Sequence, residues 1–349
     1  MSFIGRILQS NFPKVYTIVT SGINKMILRS RPYSIYITDG LGGSFKDYLV
    51  KYDMPLKINL LKRDLDPESI DLVDVITKRV MNYPDEGNKQ RIQKNAPIIG
   101  GLLPVETKSS QQSMRQQIHI ETKEIRLPTQ MMEESVFYFY HGLRLLPTKV
   151  IESIRGQHFI DVGAYIGDSA IALYKYEYSK IFSLEISQKS IDRFQLNLRN
   201  NKIPSERFLV INTGVASSDK EPPIQMFDTG SAGFSPYRIT GRYDKIEVQR
   251  KSIDSIVNQY SIEPKFIKVD IEGAAMDFVK GAQKTLSKFR PVLSVAIYHN
   301  PIEFFEVKPA LEQLLMNYTF LIRKLSSQVK FNQIHSEVVL LAYPNELLN

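Results

Sequence analysis

From about residue 150 onward, short runs rich in Val, Ile and Phe alternate with helical patterns. That alternation restricts the chain to a mostly parallel sheet covered on both faces. The spacing predicts strands at His158–Val162, Lys180–Leu184, Phe208–Asn212, Phe266–Asp270 and Val292–Tyr298, with helices between most of them, notably Ser169–Tyr176 and Ser187–Asn200. Two final strands, Thr319–Lys324 and Glu337–Ala342, are joined by a polar connection without helical periodicity, which suits an antiparallel pair at the sheet edge. The insert Glu221–Lys251 interrupts the alternation with IQMF, a Gly/Ser-rich tip DTGSAGFS and KIEVQRKS, and reads as a hairpin folded over the open end of the sheet.

In a parallel sheet, ligands collect at the carboxyl ends of the strands, so the residues there carry the chemistry. The first strand runs into FIDVGAYIGDSA, residues 159–170: a strand ending in Asp161, a turn with Gly163 and Gly167, then a helix with free N–H groups at its start. A dinucleotide fingerprint places glycines at its first, third and sixth positions; here they are Gly163, Tyr165 and Asp168, so the pyrophosphate motif fails twice. No GK[ST] phosphate loop is present either. The second strand ends in Glu185, 22 residues after Gly163, where a carboxylate can accept the hydroxyls of an adenosine ribose. Adenosine without a pyrophosphate fits this pair of features.

A second block, FIKVDIEGAAMDFVKGA, sets Asp270 and Glu272 two residues apart, on one side of an extended segment, with Gly273 opening a helix whose positive end favours Glu272. A third, LSVAIYHNPIEFFEV, puts Tyr298 and His299 at the end of the fifth strand.

The combination DVGAYIGDSA, SLE, KVDIEGA with KGA, and AIYHNP closely resembles the FkbM family of S-adenosylmethionine-dependent methyltransferases, over about Glu134–Pro344. EESVFYFYHGLRLLP also resembles the segment that leads into the domain in some members. The resemblance implies a Rossmann-like α/β fold with seven strands, and methyl transfer from S-adenosylmethionine, usually to a hydroxyl of a sugar, glycan or natural product. It implies that Asp161, Gly163 and Gly167, with Tyr165 and Asp168 in the same loop, line the cofactor and that Glu185 holds its ribose. Asp270 and Glu272 would face the methyl-transfer site. Tyr165 departs from the family, which commonly has Asn there. An alcohol needs a base to become nucleophilic, and Asp270 and His299 are the candidates.

The net charge is +8, but Lys plus Arg against Asp plus Glu is 19 to 13 over residues 1–130 and 26 to 24 over residues 131–349. The near-neutral second part argues against a phosphate track, so an RNA methyltransferase is the weaker alternative, as is a non-catalytic scaffold that docks a partner or membrane. The excess is sharpest at the start, where Arg6, Lys14, Lys25, Arg29 and Arg31 precede the first acidic residue, Asp39. Residues 1–31 could form short basic amphipathic helices that either touch a membrane surface or pack on the body.

Residues 1–115 are expected to form an α+β extension and residues 116–349 the methyltransferase domain, with residues 221–251 as its insert. Within the extension, YSIYITD ending at Asp39 reads as a strand, GLGG as a turn and Asp66–Val80 as a helix; residues 84–115 read as a linker and Gln117–Pro128 as an alternating, strand-like segment. With no cysteine and no HxxxH or HExxH spacing among five histidines, thiolate chemistry is excluded and no metal site is expected. No run is long enough to span a membrane and no signal core is evident, so the cytoplasm is the default compartment. The sequence specifies neither the acceptor nor an oligomeric state.

Overall fold

A computed structural model describes residues 40–81, 100–128, 132–228, 234–235, 244–328 and 336–349. The basic start, the YSIYITD strand, residues 84–99 and most of the DTGSAGFS tip lie outside the described residues.

Seven strands, numbered in chain order, form the main sheet: β1 His158–Val162, β2 Lys180–Glu185, β3 Phe208–Asn212, β4 Pro264–Val269, β5 Val292–Ala296, β6 Tyr318–Lys324 and β7 Val338–Pro344. Their order across the sheet is β6-β7-β5-β4-β1-β2-β3. The first five are parallel, while β7 runs antiparallel to both β5 and β6, as the polar final connection implied. The order reverses at β1, flanked by β2 and β4, so a crevice opens at the carboxyl ends of these strands.

Alternation along β1 shows how the core divides. Phe159 packs on one face with Tyr178, Phe194 and Leu198, and Ile160 packs on the other with Ile267, Phe278 and Phe304. The insert adds a small antiparallel sheet, Phe234–Ser235, Ile224–Asp228 and Asp244–Val248, anchored by a short parallel pairing of Gly214–Val215 with Arg250–Lys251.

Before residue 108 the described extension is helical, at Gly40–Lys51, Met54–Lys62 and Pro67–Met81, with a single 3-10 turn at Pro104–Glu106. The strand expected at YSIYITD lies outside the described residues; the helix over Asp66–Val80 is there, and the turn expected at GLGG is corrected, since GLGG begins a helix. Packing overrides the poor helix propensity of glycine, because Phe45 and Tyr48 of that helix meet Phe304 and Phe305 at 5.9 and 5.6 Å between ring centres. Leu61, Val73 and Ile76 join the same hydrophobic cluster as Ile322 of β6 and Phe304 of the helix Pro301–Leu314.

The strand-like reading of Gln117–Pro128 and the linker reading of residues 100–115 are also corrected, since Lys108–Glu121 is one helix running across the expected boundary at residue 115. Thr107 caps it by accepting from Ser110 N. Met114 and Ile118, four apart, are buried, whereas Ile120 is 66% exposed, and this is helical spacing that the Ile118/Ile120 alternation disguised.

The extension is fastened by a buried ion pair. Arg79 donates to both carboxylate oxygens of Glu106 at 2.8 and 2.7 Å, and Leu103 N donates to the same carboxylate at 2.8 Å. Both side chains are within 2% of complete burial. Removing one partner strands the other charge, so Glu106→Ala should cost about 3–5 kcal/mol in urea unfolding. A loss below about 1 kcal/mol would show that the pair carries no such load.

Candidate active site at the carboxyl edge of the sheet

The turn after β1 is built around Gly163, with φ +86°. Its N–H donates to Leu184 O of β2 at 3.1 Å, while Asp270 N, just past β4, donates to Val162 O at 2.9 Å. A Cβ on Gly163 would sit 1.9 Å from Asp270 O, so the two strand ends approach this closely only with glycine. Gly167, at φ +85°, packs against Phe194 and Leu198 instead, where a Cβ would come within 2.9 Å of both. Its smallness serves helix packing rather than a ligand.

Glu185, at the end of β2, is 6% exposed, and its carboxylate is held entirely by backbone. Oε1 accepts from Ile186 N and Ser187 N at 2.9 and 2.8 Å, and Oε2 accepts from Tyr165 N at 2.8 Å. Burial raises its proton affinity, and these N–H groups work against that. Three of about four acceptor positions on the carboxylate are used, which leaves room on Oε2. Tyr165, at φ +45°, joins the site through its amide, a contact that does not depend on the side chain standing where the family has Asn.

At the end of β4 the structure adds a residue that sequence reading missed. Lys268 pairs in register with Asp161 of β1, its Nζ 3.0 Å from Asp161 Oδ1 and donating to Gly163 O at 2.7 Å. Asp161 is completely buried, with its proton affinity raised by burial against the pull of Lys268. It supports the turn from below.

Asp270 has a different partner. Its Oδ1 lies 3.2 Å from His299 Nε2, and His299 Nδ1 lies 3.1 Å from Glu303 Oε2. Glu303 is 1% exposed and also accepts from Ala275 N at 2.9 Å. For Asp270, burial favours the neutral acid, but the hydrogen bond and charge of His299, with Lys268, outweigh it and hold the pKa at about 2. For His299, burial opposes protonation and is overcome by Asp270 and Glu303, which raise it well above the ordinary imidazole value. His299 is therefore an imidazolium clamped between two carboxylates.

A cavity of about 490 Å³ opens over these strand ends. Of the expected site residues, Gly163, Tyr165, Asp168, Glu185, Asp270 and Glu272 line it; Asp161, Gly167 and His299 stand behind its wall. The chain between Asp270 and Glu272 is not extended, because β4 ends at Val269 and Glu272 is left-handed at φ +49°, yet both side chains reach the cavity. Asp168 is lifted to about 6 by burial, against Lys268 and the N–H of Ser169. Burial also raises Glu272.

The remaining wall comes from residues sequence reading did not single out: Glu133 and His141 before β1, Glu337 before β7, and Met226 and Arg250 of the insert. Two sequence signals pointed their way: the insert read as a hairpin over the open end of the sheet, and the EESVFYFYHG segment, in which Tyr140, His141 and Gly142 are all left-handed. Among the described residues, no group of three or more His, Asp or Glu is arranged to hold a metal ion.

The strand order, the antiparallel final strand and a ligand-sized cavity at the β1/β4 crevice define the seven-stranded methyltransferase fold. Residues 161–329 match the family model described as a methyltransferase FkbM domain. A crystal structure of methyltransferase FkbM from Methylobacillus flagellatus KT superposes with a TM-score of 0.54 at 19% identity, covering 86% of this chain. The chain spans 61% of that protein's length. An rRNA methylase from Streptococcus thermophilus matches 61% of this chain at 11% identity with a TM-score of 0.36, too distant to bear on the acceptor. Comparison with curated protein sequences returns no match.

The clamp predicts a pH window. The depressed Asp270 contributes stability above the ordinary carboxylate range that is lost as pH falls through about 2. The raised His299 contributes stability below its ordinary value near 6.5 that is lost as pH rises through its higher folded value. In NMR titration His299 should remain protonated at neutral pH, and Asp270→Asn should lower its pKa. A wild-type His299 that titrates near 6.5 would contradict the clamp.

Proposed function

We propose that this protein transfers a methyl group from S-adenosylmethionine to a hydroxyl of a sugar, glycan or natural product. One observation carries the reading: six carboxylates, Glu133, Asp168, Glu185, Asp270, Glu272 and Glu337, line the cavity. The cations there are already engaged, Lys268 by Asp161 and Arg250 by Glu221 at 2.8 Å. Such a wall suits a positively charged ligand and opposes a phosphate-bearing one. The donor carries a sulfonium, so the residues fit it, and the free acceptor capacity of Glu185 suits a ribose hydroxyl.

When bound, the cofactor supplies a methyl group open to in-line displacement, so the protein's work is alignment and proton removal. Asp270, held ionised by His299, is a fixed charge for orientation and a weak proton acceptor near neutral pH. His299, bonded to Glu303 through Nδ1 and with Nε2 3.2 Å from Asp270 Oδ1, positions Asp270. Glu272, which lines the cavity without an ion-pair partner among the described residues, is the better base of the expected set. The carboxylate wall and the near-neutral domain both favour an uncharged or cationic acceptor over RNA.

Calorimetry on the full chain should show S-adenosylmethionine binding with Kd of about 1 μM or tighter. Glu185→Ala should weaken it by about tenfold to a hundredfold, the loss expected for a hydrogen bond to a charged group. No binding to the wild type would overturn the proposal.

A further inference from the structure

The antiparallel final strand brings a residue to the site from the far end of the chain. Because β7 runs against β5, its first residues fall at the edge where the parallel strands end. Glu337, immediately before β7, is fixed there by backbone on both sides. Its carbonyl accepts from Leu325 N at 2.7 Å, and the next carbonyl, of Val338, accepts from Ile297 N at 3.0 Å. The Glu337 side chain lines the cavity beside Tyr298, whose Oη donates to Glu337 Oε1 at 3.3 Å. Glu337 forms no ion pair among the described residues.

The cavity therefore has two ends. Glu185 closes β2 and Glu337 precedes β7, with β1, β4 and β5 between them in the sheet. At about 4.8 Å per strand, the two acids stand about 19 Å apart along the sheet edge. With the donor's ribose on Glu185 and Asp270 midway, the Glu337 end is left for the acceptor.

Proton affinities at that end differ widely. Burial pushes Glu337 up, Asp270 and Glu133 add to the rise, Ser135 and Lys324 oppose it, and the pKa comes to about 7. Asp270 is held at about 2, and burial with Lys268 keeps His141 at about 3. Tyr298 is raised well above its ordinary value by burial and by Asp270, Glu337 and Glu272, so it keeps its proton and remains a donor. A general base works best when its pKa lies near the working pH.

On the methyltransferase reading, we propose that Glu337 is the general base for the acceptor hydroxyl, oriented by Tyr298. As the acceptor oxygen forms its bond to the methyl carbon, the C–S bond breaks and its electron pair stays on sulfur. The hydroxyl proton passes to the Glu337 carboxylate and later to solvent. Sulfonium and carboxylate are thus both neutralised as the ether forms, so no new charge is left in the cavity.

The test measures S-adenosylhomocysteine formation by the full chain from S-adenosylmethionine, with the methyl glycosides of glucose, galactose, mannose and rhamnose as hydroxyl probes. Near pH 8, Glu337→Gln should lower kcat by about 10²–10⁴-fold on the accepted probe, while calorimetry shows S-adenosylmethionine affinity within about threefold of wild type. Wild-type kcat should rise with pH as Glu337 ionises and level off above about 7. The donor's sulfonium favours the carboxylate, so the midpoint in the complex lies at or below that value. Glu337→Gln should lose this limb, and Glu337→Asp, which keeps a carboxylate, should retain it.

Unchanged kcat in Glu337→Gln, or a limb that survives there and disappears in Glu272→Gln, overturns the assignment. So does a loss of S-adenosylmethionine affinity as large as the loss of kcat, which would place Glu337 on the donor. A wild type that binds S-adenosylmethionine but methylates none of the probes also overturns it. If S-adenosylmethionine does not bind the wild type, the methyltransferase reading itself falls. Thermal melting checks that Glu337→Gln is folded, and the pH profile of Glu337→Asp decides if it is not.

Discussion

One buried ammonium organises the site. Lys268 lies in β4 opposite Asp161 of β1, 3.0 Å from its carboxylate, in the interior of the sheet. Removing two charges from water is costly; the ion pair offsets this for both partners, and Lys268 gains in addition the 2.7 Å bond to Gly163 O that fixes the turn. The same charge reaches Glu133, Asp168, Glu185 and Asp270, lowering the proton affinity of each, and depresses His141. Without it, Asp161 would be buried with no counter-charge, and Asp168, Glu185 and Asp270 would lose a shared attraction. Shape and field of the site therefore share one cause.

Around that centre, each element does one physical task. Gly163 lets β1 and β4 close to a distance no side chain allows. Backbone N–H groups from the loops after β1 and β2 orient Glu185, and the His299–Glu303 pair fixes Asp270 from behind. The helices Gly40–Lys51, Met54–Lys62 and Pro67–Met81 pack on β6 and on the helix Pro301–Leu314, on the side of the sheet that holds Ile160, so they stabilise the strand framework from outside the cavity. Positions at the strand ends are thus set by packing and hydrogen bonds remote from any ligand.

Much of this was legible in the sequence. All seven strands, their parallel arrangement and the antiparallel finish followed from period-two runs and the connections between them. The turn at Gly163 and the acids Glu185, Asp270 and Glu272 followed from their places at strand ends. Less visible was which face a residue serves: Asp161, Gly167 and His299 sit where motif position suggests a ligand, yet the structure spends them on support. Lys268 was hidden inside an apolar strand, although a lysine in FIKVD was itself a signal, since a buried lysine requires a partner. Glu133, His141 and Glu337 come from segments far apart in the chain, and no local pattern announces that they converge. The helix at Lys108–Glu121 was obscured because only two of its apolar residues, Met114 and Ile118, face inward.

The central claim is that the cavity over Glu185 and Asp270 holds the methyl donor. The most direct measurement is a crystal structure of the chain grown with S-adenosylhomocysteine. The nucleoside should lie in this cavity, with a ribose hydroxyl on Glu185 Oε2 and the Lys268–Asp161 pair intact beneath it. Nucleoside bound elsewhere, or Glu185 still closed on Tyr165, Ile186 and Ser187 with no ligand contact, would contradict it.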